Sequence, residues 1–159
     1  MTMRVANELS VRALRADGDT PECELLHEGV VVGKRLPGAV LEAAVHWQDH
    51  YLLFITDDVP YEEALHIVLL DAQWRPVDCA TLGGPYTTGS FSALSLLAPS
   101  TVRFRFIGDT DWELELLSAS VFRIPLLGDP VGVTRPFGFT RRFVLRGEPK
   151  PQSGGWSNR

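Results

Sequence analysis

Residues 101–117, TVRFRFIGDTDWELELL, alternate more strictly than any other part of the chain. Val102, Phe104 and Phe106 fall on one side, Arg103 and Arg105 on the other. After Gly108-Asp109-Thr110, Trp112, Leu114 and Leu116 oppose Glu113 and Glu115. A period of two puts successive side chains on opposite faces of an extended strand, so each run reads as a strand with one buried face. Two such runs around a polar, glycine-containing turn read as a β-hairpin. Apolar residues must meet apolar residues across the pair. Pairing Phe106 with Trp112, Phe104 with Leu114 and Val102 with Leu116 achieves this. It also sets Arg105 opposite Glu113 and Arg103 opposite Glu115.

Short apolar runs broken by turn residues continue along the rest of the chain. Residues 9–15 alternate weakly and read as a first strand, stopped by the polar run 16–21. ELLHEGVVV, residues 24–32, reads as one strand with Gly29 as a weak point or bulge, and 33–38 as a turn or loop. Residues 39–50 fit a helix by composition, but Leu41, Ala43, Val45 and Trp47 also alternate with polar neighbours. The strand-like YLLFIT that follows, and the polar Gln48-Asp49-His50 between them, favour a hairpin. LHIVLLD, residues 65–71, is apolar on both faces except at His66, as a strand covered on both sides would be. Further strands are expected at 77–81, 90–98, 118–127 and 140–146. Loops are expected at 57–63, 82–89 and 126–139.

Nine or ten short strands without a convincing long helix predict an all-β chain. The expected fold is a single-domain antiparallel β-sandwich over residues 1–146, with jelly-roll and immunoglobulin-like topologies not distinguished. Residues 147–159, GEPKPQSGGWSNR, have the composition of a disordered tail.

Composition narrows the classes. The 159 residues are 45% apolar and 22% charged, ordinary for a soluble globular domain with a real core. No apolar run reaches the roughly 18–20 residues that span a bilayer. The first fifteen residues lack the apolar stretch of a secretory signal, so a cytoplasmic protein is expected. Cys23 and Cys79 are too few for a disulfide framework. The net charge is −5, with 6 Lys/Arg against 14 Asp/Glu in residues 1–80 and 9 against 6 in residues 81–159. An acidic surface disfavours nucleic acid, and no membrane partner is expected; a basic protein partner, or self-association of unlike patches, fits the asymmetry.

Motifs for chemistry are sparse. The chain has no Gly-x-Ser-x-Gly elbow, no Walker A loop and no dinucleotide fingerprint, so no catalytic residues and no cofactor are assigned. His46 and His50, four apart with Asp49 between, are weak metal-ligand candidates that lack the Glu of a His-Glu-x-x-His helix. Asp57, Asp58, Glu62 and Glu63 form an acidic loop suited to a basic partner; they lack the spacing of a calcium loop. Trp47, Tyr51, Tyr86 and Phe137 sit in or beside turns and are candidates for recognition. His27 and His66, single histidines on apolar strands, read as hydrogen-bonded structural residues.

Three functions follow in order. The first is a non-catalytic binding protein acting through loops and an acidic surface, of which a bacterial toxin-neutralising, immunity-type protein is one form. The second is a β-sandwich that binds a small ligand or carbohydrate through loop aromatics. The third is a metal-dependent enzyme using His46, Asp49 and His50.

Overall fold

The computed structural model describes residues 3–14, 20–59, 63–83, 89–107, 110–122, 130, 132–136 and 140–147. Thirteen strands follow one another: β1 Met3–Val5, β2 Leu9–Ala13, β3 Glu22–His27, β4 Val30–Pro37, β5 Val40–Trp47, β6 His50–Thr56, β7 Ala64–Leu70, β8 Pro76–Gly83, β9 Gly89–Leu97, β10 Thr101–Ile107, β11 Asp111–Phe122, β12 Val133–Thr134 and β13 Thr140–Arg146. The fold is all-β, with three antiparallel sheets packed together. The central sheet runs β1-β5-β6-β7-β8-β12, the second β13-β11-β10-β9, and the third β2-β3-β4.

The central sheet is covered on both faces, which is why its strands read as continuous apolar runs. Val45, Leu52, Phe54, Ile67 and Leu69 point to one side and pack against Val102, Phe104, Trp112, Leu114 and Phe143 of the second sheet. Leu53, Ile55, Val68 and Leu70 point to the other and pack against Leu9, Cys23, Leu25 and Leu36 of the third. In β6 every side chain from Leu52 to Thr56 is buried. Residues 39–50 form the hairpin that the alternation favours, with β5 and β6 joined across Gln48-Asp49 and Trp47 facing His50. The doubly covered strand expected over 65–71 is β7.

Three local expectations are corrected. The hairpin of residues 101–117 is formed, but its register is shifted by two: Phe104 faces Trp112, Val102 faces Leu114, Arg103 faces Glu113 and Arg105 faces Asp111. A shift of two leaves every side chain on its own face, so alternation alone does not select between the registers. Charge does not select either, because residues 111, 113 and 115 are all acidic. Glu115 instead bonds Arg146 of β13 at 2.8 Å, a strand that a two-strand account omits. Second, residues 24–32 are not one strand. Glu28 (φ 51°) and Gly29 (φ 80°) turn the chain between β3 and β4. Two consecutive left-handed residues make the tight turn whose twist suits a hairpin. Third, residues 33–38 are mostly strand: β4 continues to Pro37, with a bulge opposite β3 between Glu24 and Leu26, and Pro37 lies on an edge strand, where proline is tolerated.

One buried ion pair ties the central sheet to the second. Asp78 of β8 and Arg135 meet at 2.6 Å with side chains only 4% and 3% exposed. The Asp78 carboxylate also accepts the backbone amides of Arg142 (2.7 Å) and Phe143 (3.3 Å), and that of Cys79 (2.8 Å). Arg135 donates to the carbonyls of Cys79 and Phe143 and lies over the Phe143 ring. Because β13 is the edge of its sheet, this side-chain pair supplies its backbone with partners that a neighbouring strand would otherwise provide.

Candidate functional site

The third sheet has three strands and the central sheet six, so the smaller cannot cover the whole face beneath it. Its edge strand β4 ends over β7 and β8 and leaves a cleft of about 200 Å³. Leu36, Pro37, Val68 and Pro76 give it an apolar wall and floor, and Lys34, Arg35, His66, Cys79 and Thr81 bring polar groups to it. The register explains the grouping. His66 faces Thr81 and Val68 faces Cys79 across β7 and β8, so all four project from the same face of the sheet.

His66 is held from both ring nitrogens. Its Nε2 lies 2.7 Å from Asp57 Oδ1 and its Nδ1 3.3 Å from Thr81 Oγ1. With Nε2–H donating to the carboxylate, Nδ1 is left to accept the threonine hydroxyl proton, so Asp57 sets the tautomer and the ring orientation. Asp57 is in turn placed by its own loop, where Glu63 Oε1 accepts the amides of Asp57 (2.8 Å) and Asp58 (3.1 Å). Burial raises the pKa of the Cys79 thiol, with Asp78 adding to the effect. Burial also lifts Cys23 to about 11. Both thiols are therefore protonated at neutral pH and are poor nucleophiles.

The other candidates are dispersed. Trp47 is in the core and its Nε1 donates to Pro99 O at 3.2 Å. Asp58 is exposed, and Glu62, Tyr86 and Phe137 lie outside the described residues. His46 and His50 project from opposite faces of the central sheet: His46 packs on Tyr51 (4.7 Å between ring centres), and His50 lies beside Trp47 with Nε2 3.5 Å from Arg142 Nη2. They cannot share an ion with Asp49, which is exposed on the turn between them. Among the described residues no three His, Cys, Asp or Glu side chains converge as a metal site. Burial, then the Arg142 charge, lowers the pKa of His50, which keeps it neutral.

Tyr51 belongs to a second cluster. Its ring stacks on Trp74 (5.1 Å, 21°), Trp74 lies 5.3 Å from His27, and the Tyr51 hydroxyl bonds Glu8 Oε2 at 3.3 Å. Trp74 is set in a left-handed conformation (φ 65°) in the β7–β8 turn. Asp71 fixes that turn: its carbonyl accepts the Trp74 amide, and its carboxylate accepts the amides of Gln73 and Arg75. These rings pack on one another at the end of β3.

Asp57, expected on a diffuse acidic surface, and His66, expected in a structural role, are hydrogen-bonded to each other, and His66 lines the cleft. Lys34, Cys79 and Thr81 were not singled out as site residues. The legible signal was His66 itself, the one polar side chain on an otherwise apolar strand. Compared with protein families, with curated proteins and with solved structures, the chain matches none.

Proposed function

We propose that this chain is a binding protein whose working element is the cleft between β4 and the β7–β8 face, and that it takes a small molecule. The observation that carries this is the composition of the cleft: an apolar floor meeting a few fixed polar groups, the pattern that small-molecule sites share. At about 200 Å³ it falls below the roughly 300–1,000 Å³ of sites for drug-sized ligands. Its occupant is correspondingly small. A protein partner docking on the acidic loop has less support, because the Asp57 and Glu63 carboxylates are engaged within the fold.

The test is a fragment screen on the 15N-labelled chain. Binders should shift the amides of Val68, Cys79 and Thr81 together. At raised pH, where the Cys79 thiol ionises, they should also slow its alkylation, while Cys23, fully buried, stays unreactive with or without ligand. Hits that map only to the acidic loop would favour the protein-partner reading.

A second reading is hydrolysis of a small ester, favoured by the line Asp57–His66–Thr81, which has the order of a carboxylate, an imidazole and a hydroxyl nucleophile. Thr81 Oγ1 would attack the carbonyl as His66 Nδ1 takes its proton; that proton would leave with the alcohol, and water would release the acid. Turnover of p-nitrophenyl acetate that is lost in both His66→Gln and Thr81→Val supports it; equal turnover in those variants refutes it.

A further inference from the structure

We infer that the ligand of this cleft is an anion, a small carboxylate on a short apolar body; this rests on the cleft being the binding site. The reason is an imbalance of charge. Lys34 lies two residues from Leu36 on β4 and so shares its face. Leu36 is buried against the central sheet, which turns the half-buried Lys34 toward the cleft. Elsewhere on the described surface arginines sit on carboxylates: Arg4 on Glu8, Arg12 on Glu24, Arg75 on Asp71, Arg103 on Glu113. Lys34 and Arg35 make no ion pair with any described residue. The acid that faces Arg35 across the sheet, Glu24, is bonded by Arg12 instead.

Neither of the described carboxylates near His66 lines the cleft. The Asp57 carboxylate holds His66, and Glu63 closes the loop beneath it. A lysine at the rim over an apolar floor is complementary to a carboxylate head with a hydrocarbon body. A cationic ligand would meet Lys34 with no described carboxylate in the lining to offset it. A neutral ligand would leave Lys34 half-covered and without a counter-ion, so it would gain only the apolar contact.

Three isosteric probes separate the possibilities: benzoate, benzyl alcohol and benzylammonium, titrated into the full chain and followed by 15N amide shifts. Benzoate should shift Lys34, Val68, Cys79 and Thr81 saturably and bind more tightly than the other two. Lys34→Met, which keeps the apolar stem, should weaken benzoate about 10- to 100-fold, the worth of one charge-assisted hydrogen bond. It should leave benzyl alcohol unaffected and the thermal midpoint of the free protein unchanged. Benzyl alcohol or benzylammonium binding the cleft as tightly as benzoate would overturn the anion assignment while leaving the cleft as the site. Undiminished benzoate binding by Lys34→Met would do the same. No cleft shift with any of the three would overturn both.

Discussion

Asp78→Ala tests whether a side-chain pair really substitutes for a missing strand. The substitution removes the acceptor of three backbone amides and the counter-charge of Arg135, whose side chain is 3% exposed. Removing one partner of a buried ion pair leaves the other charge desolvated, at a cost of about 3–5 kcal/mol. Stranded amides add to that cost, and relaxation that lets water in subtracts from it. Against a total stability of about 5–15 kcal/mol, this is a fifth of the whole or more. In urea, with a slope of about 2 kcal/mol per molar, the midpoint should fall by about 1.5–2.5 M with the slope unchanged. Asp78→Asn separates the two contributions, since its amide oxygen can still accept the β13 amides but carries no charge; it should fall between the parent and Asp78→Ala. Combining Asp78→Ala with Arg135→Met should cost less than the two single losses summed, because the stranded charge is then gone. A loss below about 1 kcal/mol for Asp78→Ala, the range of an exposed pair, would refute the account.

Three further outcomes follow from contacts described above. Arg105→Glu should weaken the fold by under about 1 kcal/mol and be rescued by Asp111→Arg but not by Glu113→Arg, which chemical denaturation can read; rescue by Glu113→Arg would restore the rejected register. Gly38→Ala should cost about 1–3 kcal/mol in thermal unfolding, since a Cβ there meets the Ile55 side chain and the backbone is left-handed at φ 104°. The Arg4 guanidinium, bonded at 2.6 Å, holds Glu8 down from the ordinary 4.5 to about 2. A carboxyl lowered on folding stabilises fully above its unfolded value and loses that contribution as pH falls through its folded one. Stability should therefore decline between pH 4.5 and 2, and Arg4→Met should flatten that decline.

The strands were legible where alternation or a doubly apolar run was strong, as in 101–107 and 65–70, because burial of one or two faces writes a period into the sequence. The register of β10 on β11 was not, since pairs at 111, 113 and 115 are chemically equivalent until Arg146 arrives from a strand thirty residues on. The β3–β4 turn was hidden because its first left-handed residue is Glu28, where Asn or Asp is the usual signal. The candidate site was hidden for a different reason. Lys34, Asp57, His66 and Thr81 come from three strands and a loop, so no local motif holds them. Lys34 reaches the others only because β4 runs out over a wider sheet, which is a fact about the relative widths of two sheets. Tyr51 and Trp74, visible as aromatics near turns, prove to be one another's partners.

The double cover of the central sheet also bears on how the chain emerges during synthesis. Strands β5 to β8 succeed one another as a meander of near neighbours, so the layer can form from local contacts as soon as they are made. One of its covers, β2 to β4, has by then been translated; the other, β9 to β13, has not. For that interval Val45, Leu52, Phe54, Ile67 and Leu69 face water as a flat apolar plate. A chain stopped after Gly83 should bind a hydrophobic dye and associate with itself, where one stopped after Gly147 should do neither.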